Sequence, residues 1–253
     1  MGLILAKYYG YVLFMDATYK TNRYGMPLLH IVGTTPANLS FTVALCFMTG
    51  ETEEEYFWAM NALKDMCEDL PTGVVLTDQC TALRNALSRV FPLWKQQLCR
   101  WHLAQNLTKN FKARLLEDDF DSVNAAYKSL VNASTKETYD DLFRTFRLQY
   151  LANERTSACW LYIERQMLLG RAFLAHELSH TLNFGETATS RIESFHRAIK
   201  STIGGAGQDS FGAVNAALDH MRSIHRSIFL KHLTDAITNV KCFPPSMYDV
   251  SNA

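Results

Sequence analysis

Tyr11-Val-Leu-Phe-Met-Asp16 and Gly73-Val-Val-Leu-Thr-Asp78 decide the reading of this chain. Each is a short apolar run that ends on an aspartate. Such a run reads as a strand buried on both faces. A carboxylate at its tip is held rigidly at the rim of a sheet, where open α/β sheets bind their ligands. Two such tips side by side make a site for a divalent cation.

The surrounding pattern supports a sheet. Spans 12–18, 28–34 and 41–48 read as three strands joined by short loops, Thr21-Asn-Arg-Tyr-Gly25 and Pro36-Ala-Asn38, and so as an antiparallel meander. Thr52-Glu-Glu-Glu55 is a capping-box start. Tyr56, Phe57, Met60, Leu63, Met66, Cys67 and Leu70 follow at helical spacing, up to Pro71-Thr-Gly73. Span 74–77 is a fourth strand, 81–90 a helix and 96–99 a short fifth strand. The order βββαβαβ, with the fourth strand parallel to the first, fits a right-handed crossover. Beyond residue 100 the pattern is helical, with candidates at 103–115, 120–130, 138–152, 160–169, 189–203 and 210–236, the last capped by Asp209. The expected organisation is α/β: a first part of the core at 1–100, an all-helical insertion at 101–187, C-terminal helices completing the core at 188–236, and a loose tail at 237–253.

Composition bounds the class. Of 253 residues, 48% are hydrophobic and 20% charged, as in ordinary globular proteins. The formal net charge is zero, so no global field draws the chain to nucleic acid or membrane. Charge is uneven, however. From Lys95 to Arg114 there is no acid, while Lys95, Arg100, Lys109, Lys112 and Arg114 are basic. Six scattered cysteines without a C-x-x-C pair read as reduced thiols of a nucleus or cytosol. No signal peptide is read, and no apolar run approaches the roughly 20 residues that span a bilayer.

Each acid also has a plain structural reading. Asp16 alone is equally a turn residue closing its strand, and Asp78 alone equally an N-cap for the helix that follows. A third acid, Glu193, sits in Thr189-Ser-Arg-Ile-Glu193-Ser-Phe-His196-Arg197-Ala-Ile-Lys200, where it shares a helix face with His196 or Arg197 and with Lys200. Its plain readings are a capping box with Ser190 and a pair with Arg197, worth about 0.3–0.5 kcal/mol on an exposed helix. Taken together, the three acids fit a two-cation phosphoryl-transfer site, because hard cations prefer carboxylate oxygens.

These blocks carry a family resemblance. Asp16-Ala-Thr-Tyr-Lys-Thr-Asn22-x-x-Gly25-Met-Pro27, Glu51-Thr-x-Glu-x-Tyr56-x-Trp58, Thr77-Asp78, Val90-Phe-Pro92, Cys99-Arg-Trp-His102 with Asn106, and the Glu193 block resemble Mutator-like element transposases, in family order along almost the whole chain. The resemblance implies a ribonuclease-H-like core with a helical insertion before the last catalytic helix. It also implies a DNA-cutting and strand-transferring enzyme of the Asp-Asp-Glu type, with Asp16, Asp78 and Glu193 as catalytic and metal-binding residues for two Mg2+ or Mn2+ ions. DNA, both transposon ends and target, is the expected partner, a homo-oligomer the expected active assembly and the nucleus the expected location.

Arg100, Trp101, His102, Lys109, Lys112, Arg191, His196, Arg197 and Lys200 are expected to hold DNA, with Cys99 adjacent to the site. For Cys99-x-x-His102 the plain reading is a buried cysteine with a capping histidine. Trp101 is either core, the favoured reading, or a base-stacking platform. Two further readings stay open. One is a non-catalytic, transposase-derived DNA-binding regulator. The other, remote, is a zinc protease, because His176-Glu177-Leu-Ser-His180 matches H-E-x-x-H without the histidine that continues the longer form.

Overall fold

A computed structural model describes residues 2–238 except 36–37, 68, 169–172, 180, 182, 184, 188–189 and 204–209. Its centre is one mixed five-stranded sheet. The strands are β1 (Val12–Thr18), β2 (Leu28–Thr34), β3 (Ser40–Phe47), β4 (Val74–Thr77) and β5 (Lys95–Leu98), in the order β3-β2-β1-β4-β5. The β1–β2 and β2–β3 pairs are antiparallel, and the β1–β4 and β4–β5 pairs are parallel. The meander and the parallel crossover read from the sequence are therefore both present.

Sequence explains why β1 lies at the middle. Val12, Leu13, Phe14 and Met15 are all fully buried, as a strand covered on both faces requires. Leu13 and Met15 face one core with residues of α2 (Glu53–Met66) and α3 (Thr81–Val90). Val12 and Phe14 face the other with Val32, Val74, Leu76 and Ile192, the last from α9 (Ser190–Ile203). Each such apolar side chain contributes about 1.5–3 kcal/mol on burial, so the strand that carries Asp16 is firmly seated. Gly73 lets β4 approach it. A Cβ there would lie 2.2 Å from the Tyr11 carbonyl oxygen, which accepts from Val74 N at 2.8 Å.

The helical stretch is built from α4 (Arg100–Phe111), α5 (Glu117–Val131), α6 (Lys136–Leu151) and α7 (Glu154–Leu168). It has its own apolar core, including Leu103, Leu107, Phe120, Val123, Leu130, Trp160 and Ile163. Leu98 of β5 belongs to the same core, so the last strand leads directly into this body. The final helix, α10 (Ser210–Thr238), places Ile228 in the core beneath β3, where His225 Nε2 lies 3.0 Å from the Thr42 carbonyl oxygen.

Several boundaries differ from the sequence reading. The N-terminal apolar patch forms a short helix, α1 (Gly2–Tyr9), whose Ala6 and Tyr9 enter the sheet core. Helix α2 starts as expected, with Thr52 Oγ1 accepting from Glu55 N at 3.3 Å, but it stops at Met66 rather than near Leu70. Helix α4 begins at Arg100, earlier than the apolar period suggested, because Cys99 caps it. A four-residue helix, α8 (Ala175–Leu178), carries His176. The expected cap at Asp209 lies outside the described residues.

Candidate metal centre

The parallel β1–β4 pair aligns the two aspartates. Phe14 registers with Leu76, and Asp16 and Asp78 each follow two residues later on their chains. Asp16 is still within β1, opposite His30 of β2. Asp78 lies just past β4 and turns its Oδ1 to accept from Cys80 N at 2.9 Å. This is a local turn bond ahead of the helix, not the helix N-cap of the plain reading. The helix that follows starts at Thr81, with Cys80 at its N-cap position.

Two helices bring further groups to this rim. Cys99 ends β5 and caps α4, its Sγ accepting from His102 N at 3.5 Å, so His102 sits on the first turn beside the strand tips. Asn106, one turn on, donates from Nδ2 to Gln79 Oε1 at 3.4 Å and ties α4 to the residue after Asp78. Helix α9 crosses the opposite sheet face and delivers Glu193. His102 Nε2 stands 3.2 Å from Glu193 Oε1. Asp16, His102 and Glu193 each place one donor atom so that all three lie within 4.8 Å of one another. Among the described residues this is the trio that converges, and Asp78 is not part of it.

The electrostatics are those of crowded carboxylates beside an imidazole. Burial first, then the Asp78 and Glu193 carboxylates, push the Asp16 carboxyl up to about 7, with His102 pulling the other way. For His102, burial works against the charged ring, but Cys99, Asp16 and Glu193 outweigh it and lift the imidazole to about 9. A proton on His102 thus partly offsets the crowded carboxylates. Two carboxylates and an imidazole are a suitable donor set for a divalent metal.

Of the other residues expected to hold DNA, Arg100, Arg191 and His196 point inward. Arg100 donates from Nε to the Phe173 carbonyl at 2.7 Å and from Nη1 to Asn132 Oδ1 at 3.3 Å. Arg191 donates from Nε to Glu186 Oε1 at 2.8 Å and from Nη1 to Ser40 Oγ at 3.2 Å, and its Nη2 reaches Asn38 Oδ1. His196 is buried with Nδ1 3.6 Å from Asp16 Oδ2, and its ring lies 5.6 Å from that of His30. Burial, then Lys200 and His102, lower His196 to about 4, so it meets Asp16 as a neutral ring. Lys109, Lys112 and Arg197 are exposed, and Lys200 is half-buried. Trp101 departs from the favoured core reading. It is 46% exposed and meets His102 edge to face, with centroids 4.8 Å apart. Glu193 pairs with His102 rather than with Arg197.

The H-E-x-x-H stretch is only partly described. His176 is buried against the Tyr139 ring at 5.1 Å, with Nε2 3.6 Å from Glu177 Oε1. His180 lies outside the described residues.

The third member of the trio, His102, reads from the sequence as a cap, as a weakly supported zinc half-site with Cys99, or, from the resemblance, as a contact to DNA or the scissile phosphate beside the carboxylates. A signal for it exists. Cys99-x-x-His102 follows the third parallel strand, just as Asp16 and Asp78 mark the first two, so all three strand tips feed one rim.

Part of the chain is similar in sequence to known proteins. Residues 12–106 match the MULE transposase domain, a span that holds Asp16, Asp78, Cys99 and His102 and ends before Glu193. The chain is 26% identical over 235 residues to the PKS-NRPS hybrid synthetase cheA of Chaetomium globosum, covering 82% of this chain and 5% of that protein. It is 26% identical over 133 residues to Protein FAR1-RELATED SEQUENCE 6 of Arabidopsis thaliana, covering 53% of this chain and 18% of the relative. With Protein FAR1-RELATED SEQUENCE 5 of the same plant it shares 27% identity over 96 residues, 38% of this chain and 12% of that one. The chain thus spans at most 18% of the length of these three relatives. The strand-tip aspartates and the Cys99-x-x-His102 turn thus lie in the part of the chain that is similar to the MULE transposase domain.

Proposed function

We propose that this chain is a ribonuclease-H-like catalytic core that cuts and joins DNA strands with the help of divalent cations. The observation that carries this reading is the convergence of Asp16, His102 and Glu193 within 4.8 Å at the strand tips, with Asp16 strongly desolvated. A divalent cation bound there supplies Lewis-acid polarisation of a phosphoryl oxygen.

The chain's own groups do the positioning. Asp16 and Glu193 provide oxygen donors from two independently anchored elements, a buried strand and a helix packed on the sheet. His102 would have to be neutral to hold a cation, so a cation bound there would be held with His102 deprotonated. His196 stands behind Asp16 and limits where its carboxylate can turn. Asp78, fixed by Cys80 N, lies beside Asp16 and is the group through which a second cation would be held. Lys109, Lys112, Arg197 and Lys200 contact the phosphate backbone, whereas Arg100 and Arg191 hold the scaffold. Cutting two transposon ends together calls for an assembly of copies, and the reduced cysteines suit a nuclear setting.

Expressed protein incubated with labelled duplex or supercoiled DNA should give cleaved or joined product with Mn2+ and none with EDTA. Asp16→Asn and Glu193→Gln should each abolish it. Product formation that continues unchanged in Asp16→Asn would contradict the assignment. A second reading, a DNA-binding regulator that no longer cuts, is favoured by one observation: Asp78 lies outside the converging trio, so a two-cation arrangement is not preassembled. DNA binding without product under any divalent cation would select that reading.

A further inference from the structure

We propose that Trp101 is a stacking platform for one unpaired nucleobase at the strand end being processed, with the neighbouring phosphates running along Lys109 and Lys112. The proposal rests on the DNA-processing reading above and names the part of the substrate that reading leaves open.

Exposure is the first support. Trp94 and Trp160 are 9% and 0% exposed, as core indoles should be, but Trp101 is 46% exposed beside the candidate metal centre. Rigidity is the second. The residue before it, Arg100, is tied to the helical body through Phe173 and Asn132, and its backbone N donates to the Thr187 carbonyl at 3.0 Å. The residue after it, His102, is held against Glu193 at 3.2 Å. A ring on a backbone fixed on both sides loses less freedom when a base settles on it than one on a loose segment.

Helical phase is the third support. At 100° per residue, positions 101, 105, 109 and 112 fall within about 80° of one another, opposite the buried Leu103 and Leu107. Trp101, Gln105, Lys109 and Lys112 are all exposed on that face. With a rise of about 1.5 Å per residue, Lys109 and Lys112 lie about 12 and 16 Å beyond Trp101. That is some four to five steps of a nucleic-acid strand at roughly 3.4 Å each. No acid interrupts the chain from Lys95 to Arg114. An aromatic ring followed by cations on one face suits a single strand, because every base offers a π face and every step a phosphate. Trp58, also exposed, lines a hollow with Glu54 and Glu55, where a phosphate strand would be repelled. A base inside an intact duplex is stacked on both sides, so Trp101 selects a frayed, nicked or extruded nucleotide.

The test is a binding cycle in EDTA, so that cutting is not required. The full chain is titrated with three fluorescent duplexes: blunt, bearing a short single-stranded extension, and bearing that extension with an abasic site at the junction. The native chain should bind the extended probe about tenfold more tightly than the abasic one, the scale of one base-on-aromatic stack. Trp101→Ala should lose that tenfold for the extended probe and show no further loss at the abasic site. Trp101→Phe should recover most of the difference, and blunt duplex should bind all three proteins alike. Mn2+ affinity, measured on each variant, reports whether the neighbouring centre is intact. Equal binding of extended and abasic probes by the native chain overturns the platform while leaving the DNA reading standing. So does a Trp101→Ala loss that is the same for every probe. Absence of binding to all three probes overturns the DNA reading itself, and the platform with it.

Discussion

Helices α4 and α9 meet at the candidate site from opposite sides and are built on the same local plan. Each carries an arginine two residues before the group it contributes, Arg100 before His102 and Arg191 before Glu193. In each the arginine turns away from the site and fastens the helix to something distant. The attachments differ. Arg191 binds a carboxylate, Glu186, and the turn before β3, so α9 is fixed to the sheet. Arg100 binds a backbone carbonyl and an amide oxygen of the helical body, and burial lowers its guanidinium from the ordinary value. The candidate centre therefore lies on the seam between the sheet and the helical body. Its geometry holds only while both are in place.

The largest consequence is on pH dependence. Asp16 is raised from 3.8 to about 7 and His102 from 6.5 to about 9. Both groups bind protons more tightly in the folded chain than in the unfolded one. The stability they contribute is present at low pH, and it falls as pH rises through about 4–7 for Asp16 and about 6.5–9 for His102. A shift of the Asp16 size corresponds to several kcal/mol. Metal-free protein should thus be more stable to urea at pH 5 than at pH 8, and added Mn2+ should reverse the trend. Asp16→Asn should flatten the acid half of the profile. A metal-free stability that rises over the same range would contradict the carboxylate crowding.

Next come the two arginines. Arg191→Ala leaves the mostly buried Glu186 carboxylate without its partner and should cost about 3 kcal/mol in urea unfolding. Arg100→Ala leaves neutral acceptors unpaired and should cost less, about 1–3 kcal/mol. Equal costs would remove the distinction between the two attachments. Both variants should also weaken Mn2+ binding, because each loosens one wall of the seam.

The smallest effects belong to the outer faces. Lys109→Ala and Lys112→Ala should leave folding unchanged and each lower the salt dependence of DNA binding by a slope of about 1. A variant with an unaltered slope would place that lysine off the DNA path.

Most of the fold was legible because its signals are local. The buried strands 12–18, 28–34 and 74–77 and the helix 81–90 follow directly from apolar runs, turn residues and one amphipathic period. Helix α1 was missed because eight mostly apolar residues show no helical period of their own, and only the sheet beneath them decides their state. In the site, Asp16 and Glu193 were legible as carboxylates at sheet and helix ends. The inward turn of Arg100, Arg191 and His196 was not. Periodicity places a residue on a helix face but cannot say which body that face meets. Trp101 was misjudged for the same reason. A tryptophan is usually worth more buried, and nothing local reveals that the helix body already fills that side with Leu103 and Leu107.

Asp16, His102 and Glu193 are proposed to hold one divalent cation between them. Titration of the purified chain with Mn2+, followed by calorimetry or by loss of the free-ion electron-spin signal, tests it most directly. The account predicts a saturable site that strengthens as pH rises, is lost in Asp16→Asn and Glu193→Gln, and is clearly weakened in His102→Ala. Binding that is indifferent to His102→Ala and Glu193→Gln would contradict it.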